Sequence, residues 1–424
     1  MENGIYQILI LSILFEEHKM NHKLKAAIDQ GRNVFVTGAA GTGKSYTIRE
    51  IKEKYPHACM TSTTGASSIL IRGITFHSMS GMQIGKDNVQ TYINKIMKNY
   101  KQKTFIKGLK IVIVDECSML NAKFWEKVDK VFRAIRGVDK PFGGIQMILS
   151  GDFFQLPPIN SKYLFETDLW WDMEFYYHIL TDVKRQTDKA FINMLGDLRK
   201  GKMTEEAEMF LRSRMIQPED DYIVRLYPHK KDAEVYNKEM LDKIDEPEHD
   251  YVAKMASASI KITDNQKEVM FAYMSENMPA PPIITLKKGC QVLYLRNDKD
   301  KKLVNGSQGI VVGFMKSLPV VKFSTCEIVV SPYRFETEDK EGNIYYYDQL
   351  PLIVCWARSI HKSQGQTLEK GVISIGEKIF ENHQAYVALS RISSPDGVYI
   401  ENFDPKSFKI CPRVLKFYNY IESL

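Results

Sequence analysis

The run Gly38-Ala-Ala-Gly-Thr-Gly-Lys-Ser45 constrains this chain more than any other feature. It follows a β-rich apolar run, Asn33 to Thr37, and precedes a helical pattern with Ile48, Ile51 and Tyr55 on one face, stopped by Pro56. Strand, glycine loop and helix in that order bring a helix N-terminus to the end of a buried strand. Two further apolar runs, Lys110 to Val114 and Gln146 to Ser150, fit parallel strands covered on both faces. The pattern predicts an α/β fold.

The chemistry of the loop follows from its residue types. Gly38, Gly41, Thr42 and Gly43 let backbone N–H groups close around phosphates, and the helix N-terminus adds a favourable dipole. Lys44 supplies a point charge for β and γ phosphates, and the Ser45 hydroxyl is a ligand for Mg²⁺. The second strand ends in Asp115-Glu116. Asp115 suits the metal through water, and Glu116 suits a general base for an attacking water. Gln155, after the third strand and before Pro157-Pro158, is placed to donate either to a γ phosphate or to that water. A nucleoside triphosphate and Mg²⁺ are the expected cofactors.

Composition removes some classes. Over 424 residues, 44% are apolar and 26% charged, as in a soluble globular chain, and not a collagenous or disordered one. A net charge of +6 permits a polyanionic partner without demonstrating one. The six cysteines are scattered, with no C-x-x-C pair, and read as reduced apolar residues. The stretch Ile5 to Phe15 is too short to span a bilayer and is flanked by Glu2, Glu16 and Glu17, so a packed helix is expected there. These features predict an intracellular, soluble protein with no membrane partner.

From Pro282 to about Tyr347 the pattern changes to short β-type runs, with Asn305-Gly306 as a hairpin signal. An antiparallel barrel or sheet inserted in a second α/β unit is expected. Asp242 to Asn277 is charged and weakly patterned, which predicts a helical or irregular surface connection.

The motifs together resemble the Pif (petite integration frequency) helicases, relatives of the RecD helicases in superfamily one, class B. The resemblance is carried by Gly38 to Ser45, Thr61 to Ala66 with Gly73 to Ser78, Val114 to Met119, Asp129 to Gln146 running into Gly151 to Pro158, Val183 to Gln186, Leu303 to Gly306, Ser359 to Thr367 and Gln384 to Arg391. It implies two RecA-like P-loop NTPase domains with a small inserted SH3-like β subdomain and a small wedge insertion. The implied limits are 1–178 for the first domain, with the wedge at about 80–105, 179–288 and 346–424 for the second, and 289–345 for the β insertion.

The resemblance further implies ATP clamped between the domains and 5′-to-3′ movement along single-stranded DNA. Arg185 and Arg391 match the arginines that reach the γ phosphate, and Gly365 lies in a matching nucleotide-contact loop. Many relatives begin with a glutamine that reads adenine; here Asn21 or a neighbour stands in that place. Thr63, Thr64 and His77 on the first domain and His361, Lys362 and Ser363 on the second fit a strand track. Lys95, Lys98, Lys101 and Lys103 belong either to a wedge or to a solvated basic helix.

The expected function is an ATP-dependent DNA helicase, acting as a monomer on single-stranded and forked duplex DNA in replication, repair or recombination, with single-strand-binding or replication proteins as possible partners. A DNA-gripping adaptor and an RNA motor are the alternatives.

Overall fold

The computed structural model describes residues 20–63, 67–68, 71, 73–82, 85, 87–219, 222–258, 262–296, 298, 300–301, 303, 306–338 and 343–424. The helix expected over Ile5 to Phe15, the Asn305 turn position and Thr64 lie outside them.

The first sheet contains β1 (Val34–Gly38), β2 (Cys59–Ser62), β3 (Ile74–Thr75), β4 (Ile111–Asp115), β5 (Gln146–Ser150) and β6 (Tyr176–Leu180). Their order is β3-β2-β4-β5-β1-β6, and every pairing is parallel. Alternate residues serve opposite faces. Val34, Val36, Ile113 and Ile148 meet Ile48 and Ile51 of the helix Lys44–Lys54. Phe35, Val112, Val114 and Leu149 face a large aromatic core containing Trp125, Phe132, Phe153 and Trp170. Strands covered on both faces explain the near-continuous apolar runs in the sequence.

A second parallel sheet is formed by β7 (Arg225–Tyr227), β8 (Ala357–Ser359), β9 (Gly371–Ile375) and β10 (Val398–Phe403), in the order β8-β7-β9-β10. Between β7 and β8 the chain makes antiparallel structure. Five strands pair in the spatial order Glu327–Val329, Leu318–Phe323, Gln308–Met315, Gln291–Tyr294 and Leu352–Val354. A three-stranded sheet joins Tyr333–Glu338, Ile344–Gln349 and Lys254–Ser257. Tyr345 and Tyr347 are fully buried there, whereas Tyr346 lies under the Arg334 guanidinium and Tyr333 stays partly exposed.

Two expected limits need correction. The β insertion does not begin at 289: His249–Val252 pairs with Ile283–Leu286, and Lys254–Ser257 pairs with Ile344–Gln349. Nor does it end at 345, because Leu352–Val354 pairs with Gln291–Tyr294. Residues 242–277, expected as a surface connection, hold two of these strands and the helix Asp264–Asn277, capped by Thr263 and Gln266. Their strands are half-exposed, so no clean apolar alternation marks them, and they form only because distant partners complete the ladder.

A third limit, at the C-terminus, differs as well. The helix Pro412–Glu422, expected with the second domain, puts Val414, Phe417, Tyr418 and Ile421 into the first sheet's core. Phe417 stacks on Phe165 at 4.4 Å, and Tyr418 Oη lies 2.7 Å from Thr37 Oγ1. Positions at i, i+3, i+4 and i+7 announce an apolar stripe but do not say which sheet buries it.

Helices Val89–Lys98 and Tyr100–Gly108 occupy the expected wedge region. Tyr92, Ile96 and Ile106 anchor them in the first core. No helix among the described residues is long and apolar enough to cross a membrane.

Candidate active site

The loop after β1 turns through left-handed backbone at Gly41, φ +81°. A Cβ there would sit 2.6 Å from Arg185 Cβ, so glycine is required both by conformation and by the chain that crosses from the other side. Lys184 N–H donates to the Gly41 carbonyl at 2.8 Å, and Tyr386 Oη accepts from Ala40 N–H at 3.2 Å. The phosphate-type loop is therefore a seam between the two sheets.

On the first sheet's side, Lys44 Nζ donates to the carbonyls of Gly38 and Ala39 at 2.8 and 3.0 Å. Ser45 Oγ donates to Asp115 Oδ2 at 3.2 Å. That hydroxyl and carboxylate are hard oxygen donors at the mouth of the loop, a set suited to Mg²⁺ completed by phosphates and water. Thr42 Oγ1 donates to the Ala39 carbonyl, and Gly43 caps the helix that starts at Lys44. Glu116 adopts left-handed backbone, φ +53°, at a cost of order 1–3 kcal/mol for a non-glycine residue. It is held by its own N–H donating to Asp115 Oδ1 at 3.0 Å and by Thr63 Oγ1 donating to its carbonyl at 3.2 Å.

Electrostatics follow burial. Desolvation and the neighbouring Asp115 carboxylate push the Glu116 pKa above the ordinary value, and burial does the same to Asp115. Burial lowers that of Lys44 despite the nearby Asp152 and Glu116 carboxylates. A carboxylate with raised proton affinity, adjacent to a phosphate-type loop, has the character of a general base.

The second sheet's side contributes the guanidinium groups. Arg185 donates through Nε to Thr367 Oγ1 at 2.9 Å and through Nη1 to the Ser390 carbonyl at 2.9 Å. Burial and the like charge of Arg391 pull its pKa down to about 9, which leaves it cationic at neutral pH. Arg391 is buried, donating to the Val387 carbonyl and to Ser390 Oγ, and lies close enough to Glu116 to lower its proton affinity. Gly365 stands beside Glu116: a Cβ on it would lie 3.9 Å from Oε1. Gln364 Nε2 donates to Glu116 Oε2 at 3.1 Å across 248 residues of chain.

Gln155 is buried, its N–H and side chain both turned to Asp152, with N–H to carbonyl at 2.9 Å and Nε2 to Oδ2 at 3.4 Å. Asp152 in turn pairs with Arg199 at 2.8 Å and accepts from Tyr418 Oη at 3.2 Å. Arg199 lies over the rings of Phe154 and Tyr418. Burial opposes both charges, but each outweighs it for the other: the Asp152 pKa is held below and that of Arg199 above its usual value. This knot joins the loop carrying Gln155, a helix after β6 and the C-terminal helix. Sequence reading missed Asp152, Arg199, Tyr418 and Gln364. Asp152 and Gln364 sit inside motifs already singled out, whereas Arg199 and Tyr418 carry no local signal.

The strand candidates are more dispersed. His77, half-buried, stacks on Phe124 at 4.1 Å, and burial lowers its pKa. His361 and the exposed Lys362 sit on the short turn Ile360–Ser363, with His361 stacked 6.0 Å from Phe380, which is itself half-exposed. Ser363 is fully buried and its hydroxyl donates to the Ile360 carbonyl at 2.7 Å, which braces the turn. Asn21 caps the helix His22–Asp29, its side-chain oxygen accepting from the N–H groups of Lys23 and Leu24.

Comparison with known proteins places these features in context. A profile described as PIF1-like helicase matches residues 15–209. The chain is 38% identical over 408 residues to the ATP-dependent DNA helicase PIF1 of Xenopus laevis, an alignment covering 92% of this chain and 62% of that protein. It is 34% identical over 420 residues to the ATP-dependent DNA helicase Pif1 of Bdellovibrio bacteriovorus, covering 96% of this chain and 93% of that one. The crystal structure of a Bacteroides sp. Pif1 in complex with ADP-AlF4 is similar with a TM-score of 0.79 at 26% identity, over 96% of this chain and 97% of that one. The chain thus spans about 62% of the length of the Xenopus relative and nearly all of the bacterial one.

Proposed function

The chain belongs to the PIF1-like helicase family, and from that premise we propose that it is an ATP-dependent DNA helicase that moves 5′ to 3′ on single-stranded DNA and unwinds duplex ahead of it. The observation that carries this reading is the seam itself. Lys44, Ser45, Asp115, Glu116 and Gln155 follow strands of one parallel sheet, Arg391 and Gly365 belong to the side of the other, and Arg185, in the connection after β6, bonds Thr367 and Ser390 of that other side while packing against Gly41. A nucleotide bound at such a seam favours closure of two lobes, and its hydrolysis releases them.

Roles follow from the groups present. Ser45 and Asp115 would hold Mg²⁺, which when bound offsets phosphate charge. Lys44 binds the β and γ phosphates. Glu116 orients the attacking water and takes its proton, a step favoured by its raised proton affinity. Arg185 and Arg391 stabilise charge spreading over the γ phosphoryl oxygens, so hydrolysis requires the second lobe to be closed. Gln155 reports the γ phosphate to Asp152. Asn21 would meet adenine through its amide nitrogen, its oxygen being engaged as a helix cap. Thr63, Thr64, His77, His361 and Lys362 form the strand track, and the helices Val89–Lys98 and Tyr100–Gly108 the wedge. The protein acts as a monomer, on single strands and forks.

A strand-displacement assay with 5′-tailed and 3′-tailed forks tests the proposal. Unwinding of the 5′-tailed fork alone is expected. Unwinding only from a 3′ tail defeats the polarity, and no unwinding from either defeats the helicase activity.

A further inference from the structure

A motor needs its hydrolysis to answer to the strand it walks on, and the candidate base offers a direct physical route. Glu116 is gripped from two sides. Its main-chain carbonyl accepts from Thr63 Oγ1 at 3.2 Å, and its carboxylate accepts from Gln364 Nε2 at 3.1 Å. Thr63 is a strand candidate of the first lobe. Gln364 directly follows the second lobe's candidates in sequence, and the turn carrying them is stiff: Lys362 N–H donates to Ser359 Oγ, Ser363 Oγ to the Ile360 carbonyl, and Gln364 N–H to the His361 carbonyl. A shift of His361 and Lys362 on a phosphate therefore moves Gln364 with it.

A second feature points the same way. Gln364 Oε1 is buried and has no hydrogen-bond partner among the described residues. A buried amide oxygen left unpaired carries a desolvation penalty that is recovered when a donor reaches it. It belongs to the amide group whose Nε2 already touches the base, and the donor that hydrolysis brings to that place is the attacking water.

We propose that Gln364 is the positioning residue that couples strand binding to ATP hydrolysis: its Nε2–H aligns the Glu116 carboxylate while its Oε1 accepts from the attacking water. The water then gives its proton to Glu116 as its oxygen bonds to the γ phosphorus and the bond to the β-bridging oxygen breaks, leaving ADP and phosphate. Gln364 exchanges no proton. Engagement of the strand by the turn sets the amide, and the amide sets the base. The proposal rests on the helicase reading above.

The test measures steady-state ATP hydrolysis by the full chain with and without a saturating thymidine oligonucleotide, for wild type and Gln364→Met, a near-isosteric loss of both amide contacts. Misplacing a reacting group by about 1 Å costs up to ~100-fold, so kcat with the oligonucleotide is expected to fall about tenfold or more. The KM for ATP and the Kd for the oligonucleotide should stay within about twofold. The ratio of kcat with strand to kcat without it should shrink as well. A Gln364→Met protein with unchanged kcat overturns the proposal, as does a fall in kcat matched by an equal loss of strand affinity. Gln364→Glu, which sets a second carboxylate against Glu116, should be slower still and serves if the methionine variant fails to fold; wild-type kcat in it also overturns the idea. Wild-type hydrolysis indifferent to the oligonucleotide defeats the motor reading itself, an outcome distinguishable because no variant is needed to see it.

Discussion

The candidate nucleotide seam and the proposed strand track differ in how their residues are held. At the seam, partners come from far apart in sequence: Arg185 with Ser390, Gln364 with Glu116, Arg199 with Asp152. Asp152, Arg199 and Ser390 are buried and Glu116, Arg185 and Gln364 half-buried, and each contact depends on the two sheets being assembled. On the track, His77 leans on Phe124 of its own lobe, while His361 and Lys362 ride a turn braced by its own neighbours. The proposed chemistry is thus concentrated where the two sheets meet, and the proposed grip on side chains supported within a single lobe. The proposed motor would use that asymmetry to hold a strand while the seam opens and shuts.

The sharpest way to break the comparison is at the seam. Lys44→Ala should abolish turnover by removing the phosphate charge, and Glu116→Gln should lower kcat by about 10²–10⁴-fold while still binding ATP. Nucleotide-binding titrations beside turnover rates separate the two; equal loss of ATP binding in both would contradict the role of Glu116. Arg391→Ala is expected next, with kcat down about 10³-fold and ATP affinity largely kept. Normal strand-stimulated hydrolysis in that variant removes Arg391 from the site.

Arg199→Met probes assembly more than chemistry. Leaving Asp152 buried without its partner should cost about 3–5 kcal/mol of stability, read from denaturant unfolding. Adding Asp152→Asn should recover part of the loss, since the uncompensated charge is then gone. An Arg199→Met protein as stable as wild type would show the knot to be idle.

The smallest effect belongs to the track. His361→Ala should weaken single-strand binding by about 1–3 kcal/mol with the KM for ATP unchanged, measured by fluorescence anisotropy. Strand affinity should also fall as salt rises, because phosphate contacts release counterions. An affinity flat with salt argues against a phosphate-tracking groove.

Legibility in the sequence divides along the same line. The loop Gly38–Ser45 and the strand ending at Asp115-Glu116 were readable because phosphate binding needs particular residue types at fixed spacing between a strand and a helix. Strands such as Ile111–Asp115, buried on both faces, declared themselves as apolar runs. Lys254–Ser257 did not, because a half-exposed strand shows only its partner's need for a neighbour. Arg199 and Tyr418 were invisible for a related reason: an arginine on a helix reads as a solvated face until a buried carboxylate is found opposite it.

By itself, then, the order of residues determined the strands buried on both faces, the phosphate loop, the acidic pair and the family. Tertiary structure alone decided which sheet takes the helix Pro412–Glu422, that Ser363 faces inward, and that Gln364 reaches Glu116. The physical reason is range. Turn chemistry, helix starts and strand burial act over a few residues, whereas a hydrogen bond spanning 248 positions exists only after two cores have packed and brought its ends together.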